Sequence, residues 1–421
     1  MTSLKAIEDY QNEFRFHFPH EHRPAARKAK TTSLTPIMAA ENAAFTVING
    51  WERVEYIKPS EDFHPSLSFH FDETFDIVAK EIINIRDNVG LCEVNGFNRF
   101  EITGLDAENF IDRMFCGNIT HKPGRVGLGY LLNDFGMVKS EATIANIPAS
   151  DRGSTRIWYG SAAASEFHDM DWLTQHINAD EDVHIKSLTN DQTILIIAGP
   201  KARKVMSACS RDDWSKEVFP WLSVRECFIG FTAATVMSVS FSGELAYEVH
   251  VPNSSLYAAY LTLSEAGKEF GMKLFGSRAV ESMRMEKGFL SWKSDLLTEF
   301  DPFETGLDRF VNLKKDNFIG KTALQKRVKD GPKQRLVCLD VDCKHAPSHS
   351  GASLIENGKV VGTITSGEWG HRVNQNLAYA FVNPDKSKEG TKLMMDLLGE
   401  MISVQVIPFG AYDRSYSRLL A

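Results

Sequence analysis

The sequence predicts an α+β protein that ends in a small all-β domain, and three observations support this class. Apolar residues repeat three and four apart in "DETFDIVAKEIINIRDNVG", which is typical of an amphipathic helix. Further helical segments are interspersed with alternating stretches such as "SFSGELAYEVHVP", the pattern of a half-buried strand. Beyond about residue 330, short strands follow one another with turn residues between them, which favours a small barrel or sandwich.

The sequence predicts three regions. Residues 1–65 are rich in His, Pro and aromatic residues without clear periodicity, and we interpret them as an irregular N-terminal arm. Residues 66–328 carry the helical and alternating patterns of an α+β domain. Residues 329–421 form the predicted β-barrel, after the charged stretch "KKDNFIGKTALQKRVKDGPKQ".

Several elements of the central region have clear boundaries. The first helix has acids in its first turn and Gly90 placed to end it. "VGLGYLLNDFGMVKSEATIANI" predicts a hairpin with "NDFG" as its turn. Helices are expected at about 162–177 and 254–269, and another runs between Ser277 as N-cap and Gly288 as C-terminal stop.

The central region also contains a weak internal repeat. "FEITGLDAENFIDRM" and "LIIAGPKARKVMSAC" both combine a strand, a glycine and a short helix, with an alanine at a matching offset. This repeat predicts two similar α+β halves that pack together.

Composition excludes several classes of function. The 421 residues carry a formal net charge of -8, which argues against nucleic acid as a partner because phosphate backbones are met by clustered Lys and Arg. The six cysteines form no CxxC pair or zinc pattern, so we expect free thiols in a reducing compartment. No signal core and no run of ~18 apolar residues is present. We therefore expect a cytoplasmic protein without a membrane partner.

Standard cofactor signatures are missing as well. "VGLGYLL" contains GxG but lacks the later glycine and the strand-to-helix context of a dinucleotide fingerprint, so neither flavin nor NAD is expected. His17, His20 and His22 in "HFPHEHRP" have no further ligand cluster beside them, and no metal is predicted.

Eight segments in a fixed order resemble the aminomethyltransferase family of the glycine-cleavage T-protein. They are "INGWER", "FEITGLDAENFIDRM", "LLNDFGMVKSEATI", "IIAGPKAR", "SFSGELAYEVHVP", "GSRAVESMRMEKG", "DPFETGLDRFVNLKKDNFIGKTAL" and "GTITSG". The family includes the folate-binding portions of dimethylglycine and sarcosine dehydrogenases and tetrahydrofolate-dependent demethylases, and the dimethylglycine-dehydrogenase branch is the most similar. The resemblance implies a T-protein-like fold that binds tetrahydrofolate.

The resemblance also implies one-carbon transfer, in one of several forms. In the dehydrogenase branch, a flavin oxidises an amine to an iminium whose methylene is captured by tetrahydrofolate, and no flavin domain is expected in this chain. Methyl transfer from a small methylated amine, quaternary ammonium or sulfonium compound is the leading expectation. A sulfonium or quaternary ammonium donor suits this reaction, because its leaving group departs neutral when the folate nitrogen attacks. Alternatively, the chain is a folate-binding subunit or aminomethyltransferase that receives a methylene from a separate flavoprotein. A third possibility is a non-catalytic folate-binding accessory protein, although that branch carries KGCxxGQE where this chain has "EKGFLSWKSDL".

Two catalytic candidates lie on the predicted hairpin. Glu141 occupies the position of the family's catalytic Asp, one methylene longer, and the alternative is a solvated strand glutamate. Leu128 stands where relatives commonly have Tyr, and Tyr130 is two residues further along the same strand face. Tyr130 therefore supplies a hydroxyl near the same place, or it only fills the core.

Five further residues are candidate cofactor contacts by resemblance. Glu248 matches the family's pterin-binding glutamate, since a carboxylate can accept the paired N–H donors of an aminopyrimidine edge. Arg278 matches a ligand-binding Arg, and the alternative is a helix-surface cation paired with Glu281 or Glu286. The aromatic candidates for lining the pocket, or alternatively the core, are Tyr247, Trp292 and Tyr412, with Trp369 as a weaker one.

Overall fold

The computed structural model describes residues 2–148 and 156–421. The α-helices of these residues are α1 (Thr2–Gln11), α2 (Thr35–Ala40), α3 (Phe75–Asp87), α4 (Ala107–Met114), α5 (Glu166–Gln175), α6 (Ala202–Cys209), α7 (Leu256–Gly267), α8 (Ser277–Lys287) and α9 (Lys321–Asp330). The strands are β1 (Ala43–Ile48), β2 (Trp51–Ile57), β3 (Val89–Val94), β4 (Asn98–Thr103), β5 (Arg125–Leu132), β6 (Val138–Ile147), β7 (Arg156–Ser161), β8 (His184–Ser187), β9 (Gln192–Ala198), β10 (Val224–Ile229), β11 (Thr232–Met237), β12 (Ala246–Pro252), β13 (Met272–Leu274), β14 (Arg335–Val341), β15 (Ser353–Glu356), β16 (Lys359–Gly370), β17 (Gln375–Val382), β18 (Lys392–Leu397) and β19 (Glu400–Ile407).

The N-terminal segment is more regular than the sequence predicts. It contains α1, α2 and a hairpin of β1 and β2, so the expectation of an irregular arm at 1–65 is corrected for these elements. Asn49 and Gly50 have φ angles of 50° and 81°, the left-handed pair that a two-residue hairpin turn requires. The "NG" pair between two alternating runs is the signal that could have identified this hairpin.

Two largely antiparallel sheets form the central region. One has the strand order β5-β6-β7-β4-β8, and the other has the order β10-β11-β12-β9-β3-β13 with one parallel pair, β13 and β3. The strand-glycine-helix unit recurs, because Gly104 joins β4 to α4 and Gly199 joins β9 to α6. Their φ angles are 120° and 134°, and a Cβ there would lie 2.0 Å and 2.6 Å from a backbone oxygen, so both junctions require glycine.

The C-terminal strands close into a six-stranded barrel in the order β14-β17-β16-β15-β18-β19. Alternate residues of β14, Val337, Leu339 and Val341, point into its apolar interior. The predicted α+β class with a C-terminal β-barrel is therefore confirmed. Helix α9 crosses the expected division between residues 328 and 329, and the three region boundaries stay predictions.

Several predicted element ends differ by a few residues. Helix α3 ends before Asn88, so Gly90 lies in β3, where its missing Cβ leaves room for the Phe275 ring. Gly276 is the N-cap of α8 and Ser277 is its first residue, while Gly288 ends the helix with a φ of 84° as expected. The "NDFG" hairpin between β5 and β6 is confirmed.

None of the helices in the described residues is long and apolar enough to cross a membrane. The expected cytoplasmic location stays a prediction.

Candidate functional site

The two central sheets face each other, and two of the predicted carboxylates point into the space between them. Ala145 of one sheet and Met237 of the other belong to one buried cluster. Glu141 precedes Ala145 by four residues on β6 and therefore shares its face. Glu248 is paired directly with Met237 across β11 and β12, so it points into the same space from the opposite sheet.

Part of this space is open. On one face of β5, Leu128 is 39% exposed, although Val126 and Tyr130 on the same face are 4% and 2% exposed. Thr143, which is paired with Leu128, is also partly exposed, as is Glu141. These partly exposed side chains lie on the face of their sheet that points towards the other sheet. We call the space lined by Leu128, Glu141, Thr143 and Glu248 the inter-sheet cleft.

Glu141 and Tyr130 form a hydrogen-bonded pair in this cleft. They lie directly opposite each other on β5 and β6, and the Tyr130 hydroxyl donates to Oε2 of Glu141 over 2.7 Å. Burial raises the pKa of the Glu141 carboxyl to about 7, and the Tyr130 hydrogen bond opposes this shift. A carboxyl that titrates near neutral pH and remains partly accessible has the properties of a general acid or base.

Replacing Tyr130 with phenylalanine should raise the pKa of Glu141 further, because the variant removes the hydrogen bond that stabilises the ionised carboxylate. If the ionised form is active, the rising limb of the pH-rate profile moves to higher pH and the rate at pH 7 falls. The pH dependence of kcat for the wild type and Tyr130→Phe measures this shift. An unchanged profile would show that the hydroxyl does not control the carboxyl.

Trp292 packs beside this pair. It contacts the buried cluster that contains Tyr130 and Leu296, and its ring centroid lies 5.8 Å from that of His168. Its buried Nε1–H has no hydrogen-bond partner among the described residues. The structure thus places the predicted Trp292 at the margin of the cluster that holds Tyr130.

Glu248 keeps one carboxylate oxygen available. Its side chain is 25% exposed, and Oε2 lies 3.2 Å from Nε2 of the fully buried His250. Burial lowers the pKa of His250, so the neutral ring donates to Glu248 when Nε2 carries the proton. No described residue makes a hydrogen bond to Oε1 of Glu248, which leaves this oxygen for a ligand.

Arg99 is a neighbour of Glu248 that the sequence reasoning missed. Its side chain is fully buried, and Nη2 donates to the Thr189 carbonyl over 2.9 Å, while Nε and Nη1 have no partner among the described residues. Burial lowers the pKa of Arg99 to about 10, and the charge of Glu248 opposes this shift. The sequence signal was a charged residue inside the strand "NRFEITG".

Tyr247 lies elsewhere. It is fully buried on the opposite face of β12 from Glu248, in contact with Trp214 and Phe219 in the main apolar core. Adjacent residues of a strand point to opposite faces, so the expected Tyr247 contact is corrected to core packing.

Tyr412 belongs to a buried ion network. Its hydroxyl donates to Glu244 over 2.7 Å, and its ring lies 3.9 Å from the Arg86 guanidinium carbon. Arg86 pairs with Glu244 at 2.9 Å and with Glu286 at 2.6 Å, and Arg418 contacts Glu244 at 2.9 Å. The network joins the loop before β12, helix α8 and the C-terminal tail, and it gives Tyr412 a structural role.

Arg278 and Trp369 lie at a different cavity. Arg278 is at the start of α8, 4.0 Å from Asp72, and among the described residues it pairs with neither Glu281 nor Glu286. Trp369 packs with Phe71 and Phe75 beside it. No described contact links these residues to Glu141 or Glu248, so the structure separates them from the cleft.

The family model of the GCVT N-terminal domain matches residues 34–315, and that of the glycine cleavage T-protein C-terminal barrel domain matches residues 334–413. The chain belongs to the glycine-cleavage T-protein family. The resemblance drawn from the eight segments is confirmed, and folate-dependent one-carbon chemistry is the class of function that this membership supports.

Two relatives and one solved structure show the extent of the similarity. Dimethylglycine dehydrogenase of Homo sapiens mitochondria is 31% identical over 96% of this chain and 46% of that protein. Sarcosine dehydrogenase of Mus musculus mitochondria is 26% identical over 90% of this chain and 45% of that protein. The chain therefore spans about half the length of these relatives. Glycine cleavage system aminomethyltransferase T from Bartonella henselae has the same fold, with a TM-score of 0.79 at 20% identity over 91% of this chain and 98% of that one.

Proposed function

We propose that this chain transfers a one-carbon unit from a small methylated amine, quaternary ammonium or sulfonium compound to tetrahydrofolate bound in the inter-sheet cleft. The observation that carries the proposal is the placement of Glu141, with a pKa of about 7, in the same cleft as the accessible carboxylate of Glu248. Glu141 can exchange a proton, and the carboxylate of Glu248 can accept a hydrogen bond from an N–H group of the ligand.

The side chains of the cleft fit a pterin ring. The free Oε1 of Glu248 suits the N–H donors of its aminopyrimidine edge, and the exposed Leu128 offers apolar surface to its flat face. Trp292, which packs against the cluster that holds Tyr130, is a further candidate contact. When bound, tetrahydrofolate would supply the nucleophilic nitrogen N5.

Glu141 and Tyr130 would help to position the reactants, and Glu141 would accept or donate a proton. At neutral pH both the acid and the carboxylate form of Glu141 are populated, so it can accept or return a proton without a large energy difference. The Tyr130 hydroxyl keeps the carboxyl oriented towards the cleft. The surrounding apolar cluster lowers the local dielectric, which strengthens both interactions.

Glu248→Ala should weaken tetrahydrofolate binding about 10- to 100-fold, because a hydrogen bond to a charged group contributes about 1.5–3 kcal/mol. Calorimetric titration of tetrahydrofolate into wild type and variant measures the effect. Glu265→Ala, which removes a 74% exposed glutamate from α7, is the matched control and should bind as the wild type does. Unchanged affinity in Glu248→Ala would contradict the pterin assignment.

The transfer reaction can be tested directly. The purified chain and tetrahydrofolate are incubated with methylated amines, quaternary ammonium compounds, sulfonium compounds and aryl methyl ethers. Formation of 5-methyltetrahydrofolate with the demethylated donor supports methyl transfer. No folate product from any donor would contradict turnover by the isolated chain.

A second candidate function is acceptance of a methylene group from a separate flavoprotein. The raised pKa of Glu141 favours it, since capture of a methylene requires more proton transfer than displacement of a neutral leaving group does. Formation of 5,10-methylenetetrahydrofolate only after a flavin-dependent amine oxidase is added would support this form. Folate binding without turnover in either assay would favour the accessory role.

A further inference from the structure

The carboxylate of Glu248 is contacted from inside the protein by His250, two residues further along β12. The two side chains share one face of the strand, and Nε2 of His250 lies 3.2 Å from Oε2 of Glu248. The His250 side chain has no solvent exposure, whereas that of Glu248 is 25% exposed. The imidazole is therefore out of reach of a ligand in the cleft, and it can act on one only through Glu248.

The packing around His250 fixes the position of its ring. The Trp158 ring comes from the opposite sheet and meets it edge to face, with the centroids 5.0 Å apart and the planes at 77°. On the neighbouring strands, Ile194 of β9 and Thr235 of β11 are paired with His250. Gly160 makes room for the Trp158 ring, because a Cβ on this glycine would lie 2.1 Å from it. Both sheets thus hold the imidazole in place.

The surroundings of His250 also determine its charge and its tautomer. Burial lowers the pKa of the imidazole, the hydrogen bond to Glu248 opposes this shift, and the positive charge of Arg99 adds to it. The ring is therefore neutral at pH 7. Its Nδ1 has no partner among the described residues, while its Nε2 faces an ionised carboxylate, which can only accept hydrogen bonds. The proton consequently lies on Nε2, which donates to Oε2 of Glu248.

We propose that His250 is a positioning residue for the binding of folate. Its N–H group fixes Oε2 of Glu248 and leaves Oε1 to accept a hydrogen bond from the pterin. A carboxylate that is oriented in advance loses less conformational freedom when the ligand binds, so the affinity increases. This inference rests on the proposed function, because it concerns the same contact between Glu248 and the pterin.

His250→Leu should weaken the binding of tetrahydrofolate about tenfold in calorimetric titrations, because it removes a hydrogen bond to a charged group. His250→Met, a second variant without an N–H donor, should lose a similar amount. His250→Gln keeps an N–H donor close to the position of Nε2, and it should bind within about threefold of the wild type.

His349→Leu is the matched control. The His349 ring is half-buried in the barrel domain, and its Nε2 lies 2.8 Å from the Phe69 carbonyl oxygen. Burial lowers its pKa as well, so this variant also loses a neutral imidazole that makes one hydrogen bond. Because no described contact joins His349 to Glu248, the control should bind tetrahydrofolate as the wild type does.

A double-mutant cycle with Glu248→Ala separates positioning from a general structural effect. In the Glu248→Ala background, His250→Leu should change the affinity by less than about twofold, because no carboxylate remains to be oriented. A structural effect that does not involve Glu248 would instead weaken binding by the same factor in both backgrounds.

Wild-type affinity in both donor-free variants would overturn the inference. So would a tenfold loss that persists in the Glu248→Ala background, or a loss in His250→Gln as large as that in His250→Leu. Absence of tetrahydrofolate binding by the wild type would overturn the proposed function together with this inference, so the two failures can be told apart.

Discussion

A Glu141→Gln variant is expected to lose at least about 100-fold in turnover while binding tetrahydrofolate within about twofold of the wild type. Glutamine keeps the size of the side chain and an oxygen that can accept the Tyr130 hydroxyl, but it cannot exchange a proton. Burial raises the pKa of the wild-type carboxyl to about 7, so both of its forms are available at neutral pH. Single-turnover formation of the folate product, together with calorimetry for binding, separates the two effects.

A matched variant shows whether the loss is specific. Glu400→Gln makes the same change at a 65% exposed glutamate of the barrel strand β19 and should leave turnover unchanged. The wild-type rate should change with pH around 7, and this dependence should be absent from the residual activity of Glu141→Gln. Full turnover in Glu141→Gln would mean that the carboxyl does not act in the reaction.

The Arg86→Leu variant is expected to lower the free energy of unfolding by about 3–5 kcal/mol. The Arg86 side chain is fully buried and pairs with Glu244 and Glu286, which are themselves 1% and 0% exposed. Leucine fills part of the volume but leaves buried carboxylates without their shared partner, and Arg418 contacts only one of them. Urea-induced unfolding, followed by circular dichroism and fluorescence, measures the loss.

Arg372→Leu is the control for this prediction. It removes an arginine whose pairing with Asp87, at 3.1 Å, joins side chains that are 39% and 47% exposed. Exposed pairs contribute about 0–1 kcal/mol, so the unfolding midpoint should move little. A similar loss in both variants would show that the burial of the Arg86 network adds no stability.

Much of the fold could be predicted from local pattern. The 3.6-residue repeat identifies α3, and the "NDFG" turn identifies the β5–β6 hairpin, because each pattern acts within about ten residues. The β1–β2 hairpin was missed although its "NG" turn was visible. Alternation extended the strand before β12 too far, since the charged Glu244 is held in a loop by partners more than 150 residues away.

The candidate site, like the fold, could be predicted from the sequence only in part. The family resemblance selects Glu141, Tyr130 and Glu248, and the structure places all three residues on the facing sides of two sheets. The resemblance also selects Tyr247 and Arg278, which lie in the core and at a separate cavity. The type of a residue shows which chemistry its side chain can perform. The side chains that surround it depend on how strands that are distant in the sequence pair in the fold.

By itself, the sequence determined the α+β class with its terminal barrel, the family and the hairpin that carries Glu141 and Tyr130. Only the tertiary structure decided that Glu248 shares a cleft with them, that Arg99 lies buried beside it and that Arg278 belongs to another cavity. The physical reason is range: periodicity and turn chemistry act between neighbours along the chain, while burial and charge pairing arise between elements that meet only in the folded protein.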